Sequence, residues 1–268
     1  MIDSQLEGCV ERGESQLHYA VSGRNHAPTL LLLHPLGSHS DIWAPQLSQF
    51  ERFYRVIRFD ARGHGRSTLA VGPPATRTLV DLCDDALAVL DLLKVRRAHW
   101  CGLSMGAMVA LQAAVSVPER VQSLILANTA AYLAPAVMWD DRITIALTQG
   151  MDALVGPIAQ RWFTPEFRAN SASLVTKTLA QVSATKVRGY VEACAAIRDM
   201  DLRMSLTAIQ APTLIIAGAQ DPSMPLEHSE LLLQGIVGAD LLVLDAAHLS
   251  NLEQPEDFTT AVINFLRD

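Results

Sequence analysis

The sequence predicts an α/β protein: a mostly parallel central sheet with flanking helices and a helical block inserted late in the chain. Three observations carry this. Short apolar runs alternate with helical periodicity through the first half, the pattern of parallel strands joined by crossover helices. Between residues 134 and 206 only helical periodicity remains, and strand-like runs resume at Thr213. Finally, the apolar run 98–101 passes into Gly102-Leu103-Ser104-Met105-Gly106 and then a small-residue helix over 107–117. This is a G-x-S-x-G turn in the strand–turn–helix setting that exposes a serine as a nucleophile. The glycines are needed because a strand turning sharply into a helix leaves no room for side chains beside the serine. An ordinary serine N-cap would explain the helix start but not both glycines.

In chain order, 7–11 and 17–23 read as a hairpin at the sheet edge. The continuous apolar run 29–33 reads as a strand buried on both faces, ending in the turn His34-Pro35-Leu36-Gly37. Residues 40–50 read as a helix with Pro45 near its first turn. Residues 54–60 form the next strand, followed by D-A-R-G-H-G-R-S, a tight loop with His64 expected at the surface. A helix over 78–93 opens with a Thr78/Asp81 capping pattern and puts Leu79, Leu82, Ala86, Val89, Leu90 and Leu93 on one face. After the serine turn and its helix, which Pro118 stops, 123–127 is another buried strand. Helices over 138–149, 152–162, 173–183 and 188–198 follow, with breaks near Gly150, Pro165 and Gly189. Strands at 213–217 and 241–244 alternate with helices at 226–234 and 255–266. The expected organisation is a core of residues 1–133 and 207–268 with a helical lid, 134–206, over the carboxyl ends of the strands, where open α/β sheets bind ligands.

Half of the 268 residues are hydrophobic, enough for a large core. No apolar run has the length of a membrane span, and the first residues lack the basic and apolar regions of a signal peptide. Cys9, Cys83, Cys101 and Cys194 are scattered without C-x-x-C spacing, which suits reduced thiols and a cytoplasmic location. A net charge of −7 argues against nucleic acid or an anionic membrane as partner. Residues 134–204 hold eight basic and seven acidic residues, a balance of +1 that leaves −8 elsewhere.

A serine nucleophile needs a base, and the base needs an orienting acid. With such a turn the chain order expected is serine, acid, histidine. His248, in the loop after the last strand, is the candidate base; His18, His26 and His99 lie before or within strands and His228 in a helix. Asp221, just past the 213–217 strand, is the candidate acid, although a turn aspartate before Pro222 is the plainer alternative. Asn128 occupies the other slot and is neutral, while Asp245 is too near His248 in sequence. The backbone N–H groups of Leu36 and Met105 are the candidate oxyanion donors, since Pro35 has none. No metal-ligand spacing is present and no cofactor is expected.

Over nearly its whole length the chain resembles the α/β-hydrolases through G-L-S-M-G, R-G-H-G-R-S and the order Ser104, Asp221, His248. Further stretches narrow the resemblance to the 3-oxoadipate enol-lactonases: L-A-N-T-A-A from Leu126, W-D-D-R-I from Trp139, R-W-F-T-P-E-F-R from Arg161, C-A-A-I-R-D-M-D-L-R from Cys194 and A-A-H-L-S-N-L-E-Q-P from Ala246. Two departures stand out: His34-Pro35 where such members tend to carry Asn-Ser, and Ala107 where they carry a glycine. The resemblance implies a small anionic substrate, an enol lactone with a carboxymethyl group, opened through an acyl-enzyme in the β-ketoadipate pathway of aromatic degradation. It implies Trp139 and Arg142 as substrate-binding residues, with the alternative that Arg142 pairs with Asp140 or Asp141 on the helix surface. Other readings are a short-chain carboxylesterase, a cofactor-free perhydrolase, or a hydrolase fold serving as a non-catalytic ligand receptor.

Overall fold

Residues 6–267 are described by a computed structural model; residues 1–5 and Asp268 of the expected core lie outside them. Leu6–Arg12 (β1) and Ser15–Gly23 (β2) form the expected edge hairpin. The remaining strands are Thr29–Leu33 (β3), Arg55–Phe59 (β4), Ala98–Leu103 (β5), Val121–Ala127 (β6), Thr213–Gly218 (β7) and Asp240–Leu244 (β8). They build one sheet in the order β1-β2-β4-β3-β5-β6-β7-β8. The hairpin and its junction with β4 are antiparallel, and every later pair is parallel. β3 and β5 are buried along their whole length, as continuous apolar runs between two helical layers must be.

The helical layers follow local chemistry. Ala44–Phe50 (α1) starts later than expected, because Pro45 lacks an N–H and fits only in a first turn. The preceding residues, Ser40–Trp43, form a separate 3-10 turn capped by His39. Leu79–Leu92 (α2) opens with the complete capping box: Asp81 N–H donates to Thr78 Oγ1 at 3.3 Å and Thr78 N–H to Asp81 Oδ2 at 2.8 Å. Met105–Ser116 (α3) is buried on almost every side, so its small residues set how near it lies to the sheet.

Between β6 and β7 stand five helices: Val137–Gln149 (α4), Asp152–Trp162 (α5), Pro165–Asn170 (α6), Ala172–Ala184 (α7) and Val187–Arg198 (α8). Two details differ from the sequence expectation. The short α6 follows Pro165, where a break was expected; Thr164 caps it, accepting from Phe167 N–H at 3.2 Å, and the proline sits in its first turn. Gly189 is no break but lies inside α8, and the chain interrupts at Thr185-Lys186 instead. The reason is tertiary: Gly189 packs against the backbone of the Asp60–Ser67 loop. The helical layers are completed by Leu226–Gly235 (α9), Ser250–Glu253 (α10) and Pro255–Arg267 (α11). Among the described residues no helix is long and apolar enough to cross a membrane. The four cysteines are free, and only Cys9 is exposed.

A Cβ on Gly189 would lie 2.6 Å from Arg62 O and 2.7 Å from the Gly63 Cα, both backbone atoms that cannot step aside. Gly189→Ala is therefore expected to destabilise the fold by ~1–3 kcal/mol, as overpacking does. Urea unfolding of the two proteins measures it, and an unchanged midpoint would show that the loop and α8 separate freely.

Candidate active site

The turn after β5 puts Ser104 at φ 54, ψ −117, a region that non-glycine residues rarely occupy. Hydrogen bonds hold it there on both sides. Ser104 N–H donates to Ala127 O at 2.8 Å, and Ser104 O accepts from Ala107 N–H and Met108 N–H, both at 3.0 Å, and from the Thr129 hydroxyl at 3.0 Å. The flanking glycines are obligatory: a Cβ on Gly102 would strike the Gly106–Ala107 backbone, and one on Gly106 the Leu33 carbonyl.

Asp221 follows β7 and His248 follows β8, and the structure brings them together. His248 Nδ1–H donates to Asp221 Oδ2 at 2.8 Å, leaving Nε2 as the nitrogen with a free lone pair. Asp221 Oδ1 accepts from Ser223 N–H at 2.8 Å and Met224 N–H at 3.1 Å. Burial pushes the Asp221 carboxyl up, but the His248 charge and these hydrogen bonds outweigh it and hold it below its ordinary range. Asp245 is directed elsewhere, accepting from exposed Gln220 at 2.7 Å.

Asn128, passed over in the sequence as a neutral residue, takes part all the same. Its Nδ2 donates to Asp221 Oδ2 and to Ala247 O, both at 3.1 Å, and its Oδ1 accepts from the Ser250 hydroxyl at 2.5 Å. Its φ of 46 is a further local signal of a constrained position.

Leu36 N–H and Met105 N–H meet no acceptor among the described residues. The turn that carries Leu36 is braced by His34: its Nδ1–H donates to Pro35 O at 2.8 Å, and its Nε2 accepts from Ala61 N–H at 2.9 Å. That arrangement needs a neutral imidazole, and burial holds the His34 pKa below its ordinary value.

Ser104 and His248 line a cavity of ≈ 310 Å³ whose other walls come from the β3 turn, the loop after β7 and helices α4, α5 and α8. Trp139 and Arg142 of α4 both face it, with the Arg142 guanidinium 4.7 Å from the Trp139 ring centre. Asp140 pairs with Arg198 at 2.7 Å, so the surface pairing considered for Arg142 is not formed with it. Arg161 of α5 also lines the cavity, where burial, and then the neighbouring Arg142, push its pKa down to about 10. Neither arginine has an acidic partner among the described residues, and the lining contains no Asp or Glu.

A family profile for the alpha/beta hydrolase fold matches residues 28–255. 3-oxoadipate enol-lactonase 2 of Acinetobacter baylyi is 38% identical over 246 residues, 92% of this chain and 91% of that protein. The solved enol-lactonase of Burkholderia xenovorans LB400 aligns with a TM-score of 0.94 at 34% identity, covering 97% of this chain and 100% of that one. The chain belongs to the 3-oxoadipate enol-lactonase family of α/β-hydrolases. It is a hydrolase. A protein of Agrobacterium fabrum provisionally named carbamate hydrolase RutD is also similar, 30% identical over 93% of this chain and 98% of that one.

Sequence reasoning missed three residues of this site: Asn128, Arg161 and the bracing role of His34. It also misplaced His64, which is fully buried against His34, with ring centres 5.4 Å apart. His64 Nδ1–H donates to Arg62 O at 2.9 Å. Burial foremost, then the neighbouring His34 imidazole, push its pKa down to about 3, against the opposing pull of Arg62 O and Asp60. An unfolded histidine takes its proton near ~6.5. Below that pH the unfolded chain binds a proton that the folded chain refuses, so the stability held above pH ~6.5 is lost as pH falls towards the folded value. The urea midpoint is expected to fall between pH 6.5 and 4, and to fall less steeply in His64→Asn, which keeps a donor for Arg62 O. Equal slopes would mean that His64 takes up its proton without loss.

Proposed function

We propose that the enzyme hydrolyses 3-oxoadipate enol-lactone to 3-oxoadipate through an acyl-enzyme on Ser104. The observation that carries this reading is the sign of the cavity. The cavity that Ser104 and His248 open into is lined by two unpaired guanidiniums and by no carboxylate, in a chain of net charge −7. A neutral ester would need neither cation. The names of two similar proteins, both enol-lactonases, point the same way.

In this mechanism the 134–206 block acts as a lid. Arg142 forks onto the substrate carboxylate while Trp139 covers the lactone ring. His248 Nε2 takes the Ser104 proton as Oγ attacks the lactone carbonyl, and Asp221 stabilises the imidazolium. The oxyanion turns towards Leu36 N–H and Met105 N–H, donors worth about 3 kcal/mol each in the transition state. The ring C–O bond then breaks, and the enolate leaves without strong acid assistance, tethered to the acyl group. It ketonises on taking the proton held by the His248 imidazolium, which returns His248 to its neutral form. Water, deprotonated by His248, attacks the acyl carbon, and Ser104 leaves with its proton restored.

A second reading is short-chain ester hydrolysis, favoured by the apolar wall of Leu36, Leu133, Ile158 and Ile197. Following the ultraviolet decay of enol lactone beside 4-nitrophenyl acetate separates the two. Ser104→Ala, His248→Ala and Asp221→Asn are each expected to abolish most turnover, with losses that do not add because the three act as a unit. If Asp221→Asn kept its activity and Asp245→Asn did not, the acid would be misassigned.

Arg142→Ala is expected to lower kcat/KM for the lactone ten- to a hundredfold, roughly the ~1.5–3 kcal/mol of a charge-assisted hydrogen bond. The neutral ester should be hydrolysed almost as before. Equal losses on both substrates would assign Arg142 to lid structure, and equal retention would put the carboxylate elsewhere.

A further inference from the structure

Two stretches of the sequence that the proposed chemistry only partly absorbs, 161–168 and 246–255, meet at a single carboxylate. Glu253 Oε1 accepts from Ala247 N–H at 3.0 Å and Thr164 N–H at 3.2 Å, and Oε2 accepts from Thr164 Oγ1 at 2.6 Å and Thr164 N–H at 3.3 Å. Ala247 directly precedes His248. Thr164 lies two residues after the end of α5, the helix whose last residues, Arg161 and Trp162, line the cavity. A second bond runs beside the first, from Leu249 N–H to Trp162 O at 3.1 Å. The residues on either side of His248 are thus both tied to the end of α5.

Glu253 has no cationic partner among the described residues. A half-buried carboxylate without a counter-charge is unfavourable unless hydrogen bonds satisfy it. All its hydrogen-bond partners are donors, a demand that an acceptor-only group meets best, and they work against the burial and the nearby Asp245 charge that push its pKa up. The peptide between Ala247 and His248 is held too, the Ala247 carbonyl accepting from Asn128 Nδ2.

We propose that Glu253 is a positioning residue that locks the His248 loop to the arm of the insertion bearing Arg161 and Trp162. The base and the anion-binding wall then move as one body, so that closing the wall over the substrate sets the imidazole. The inference rests on the serine-hydrolase reading above.

The test compares wild type, Glu253→Ala, Glu253→Gln and Thr164→Val on enol lactone and on 4-nitrophenyl acetate, with thermal melts alongside. Loss of one hydrogen bond to a charged group is a tenfold-scale effect. Glu253→Ala should lower kcat on both substrates roughly tenfold and raise KM roughly tenfold for the lactone alone. Glu253→Gln keeps an oxygen for the Ala247 N–H and should recover most of kcat. Thr164→Val removes the 2.6 Å bond but not the bond to Ala247, so it should raise the lactone KM with a smaller loss of ester kcat than Glu253→Ala. A lower melting temperature with unchanged kcat and KM would overturn the proposal, as would a Glu253→Gln enzyme no better than Glu253→Ala. If Glu253→Ala fails to fold, Glu253→Gln and Thr164→Val decide: wild-type constants in Thr164→Val would sink the coupling. A wild type active on the ester but not on the lactone would refute the substrate assignment, while the ester kcat would still test the link to His248.

Discussion

The backbone at Ser104 is the constraint on which the rest of the molecule depends. A non-glycine residue at φ 54, ψ −117 stores on the order of 1–3 kcal/mol of strain and survives only where its surroundings leave no alternative. Those surroundings are close backbone approaches: Gly106 lies against the Leu33 carbonyl, and Gly102 against the backbone opening α3. Such proximity requires a helix of small residues, and α3 is one. It also requires β3 and β5 to lie side by side in the middle of the sheet, which puts the β3 turn and its free Leu36 N–H next to the serine. Position of the serine and position of the amides are one consequence of one packing event.

Around this floor the polar network differs in kind from the core. Asp221, Asn128, Ser250 and the Ala247 carbonyl satisfy one another in buried surroundings. Fully satisfied networks of this sort fix a single geometry, because any slip would leave a desolvated donor or acceptor alone. The insertion is attached by a few comparable joints. Gln181 accepts from the Ser38 hydroxyl at 2.8 Å, Lys186 N–H donates to Gly63 O at 2.9 Å, and Glu192 accepts from Ala75 N–H at 2.8 Å. Each lies where an insertion helix meets a loop of the sheet, so α7 and α8 are fastened to loops rather than to strands.

What the sequence made legible was whatever is decided locally. The fully apolar β3, the bounds of α5, the Thr78–Asp81 capping box and the serine turn are each set by residues within a few positions of one another. Hidden from it was whatever depends on a distant neighbour. Gly189 looks like a helix breaker until Gly63 is placed against it. His64 looks like a surface residue of a glycine-rich loop until the loop folds under His34. Asn128 has no charge to mark it in the sequence, yet hydrogen-bond donation, not charge, is what its position asks. Arg161 sits in a stretch recognisable by family likeness, but its entry into the cavity follows from the packing of α5 over the strand ends, which no periodicity encodes.

An acidic chain repels anions at long range, but at physiological salt that repulsion decays over about 8 Å. A ligand within the cavity therefore responds to the groups lining it, and these are Arg142 and Arg161 with no acid among them. Two guanidiniums in one half-buried space disfavour each other, which is part of why the Arg161 pKa sits near 10. At that value Arg161 is still charged at neutral pH, so the repulsion persists in the empty site. Stacking on Trp139 eases it for Arg142 without supplying a negative charge. An anion bound against the pair removes the repulsion and adds attraction, so its binding benefits from both. That asymmetry between charged and neutral ligands is built into the wall opposite the serine, on helices that belong to the insertion rather than to the sheet.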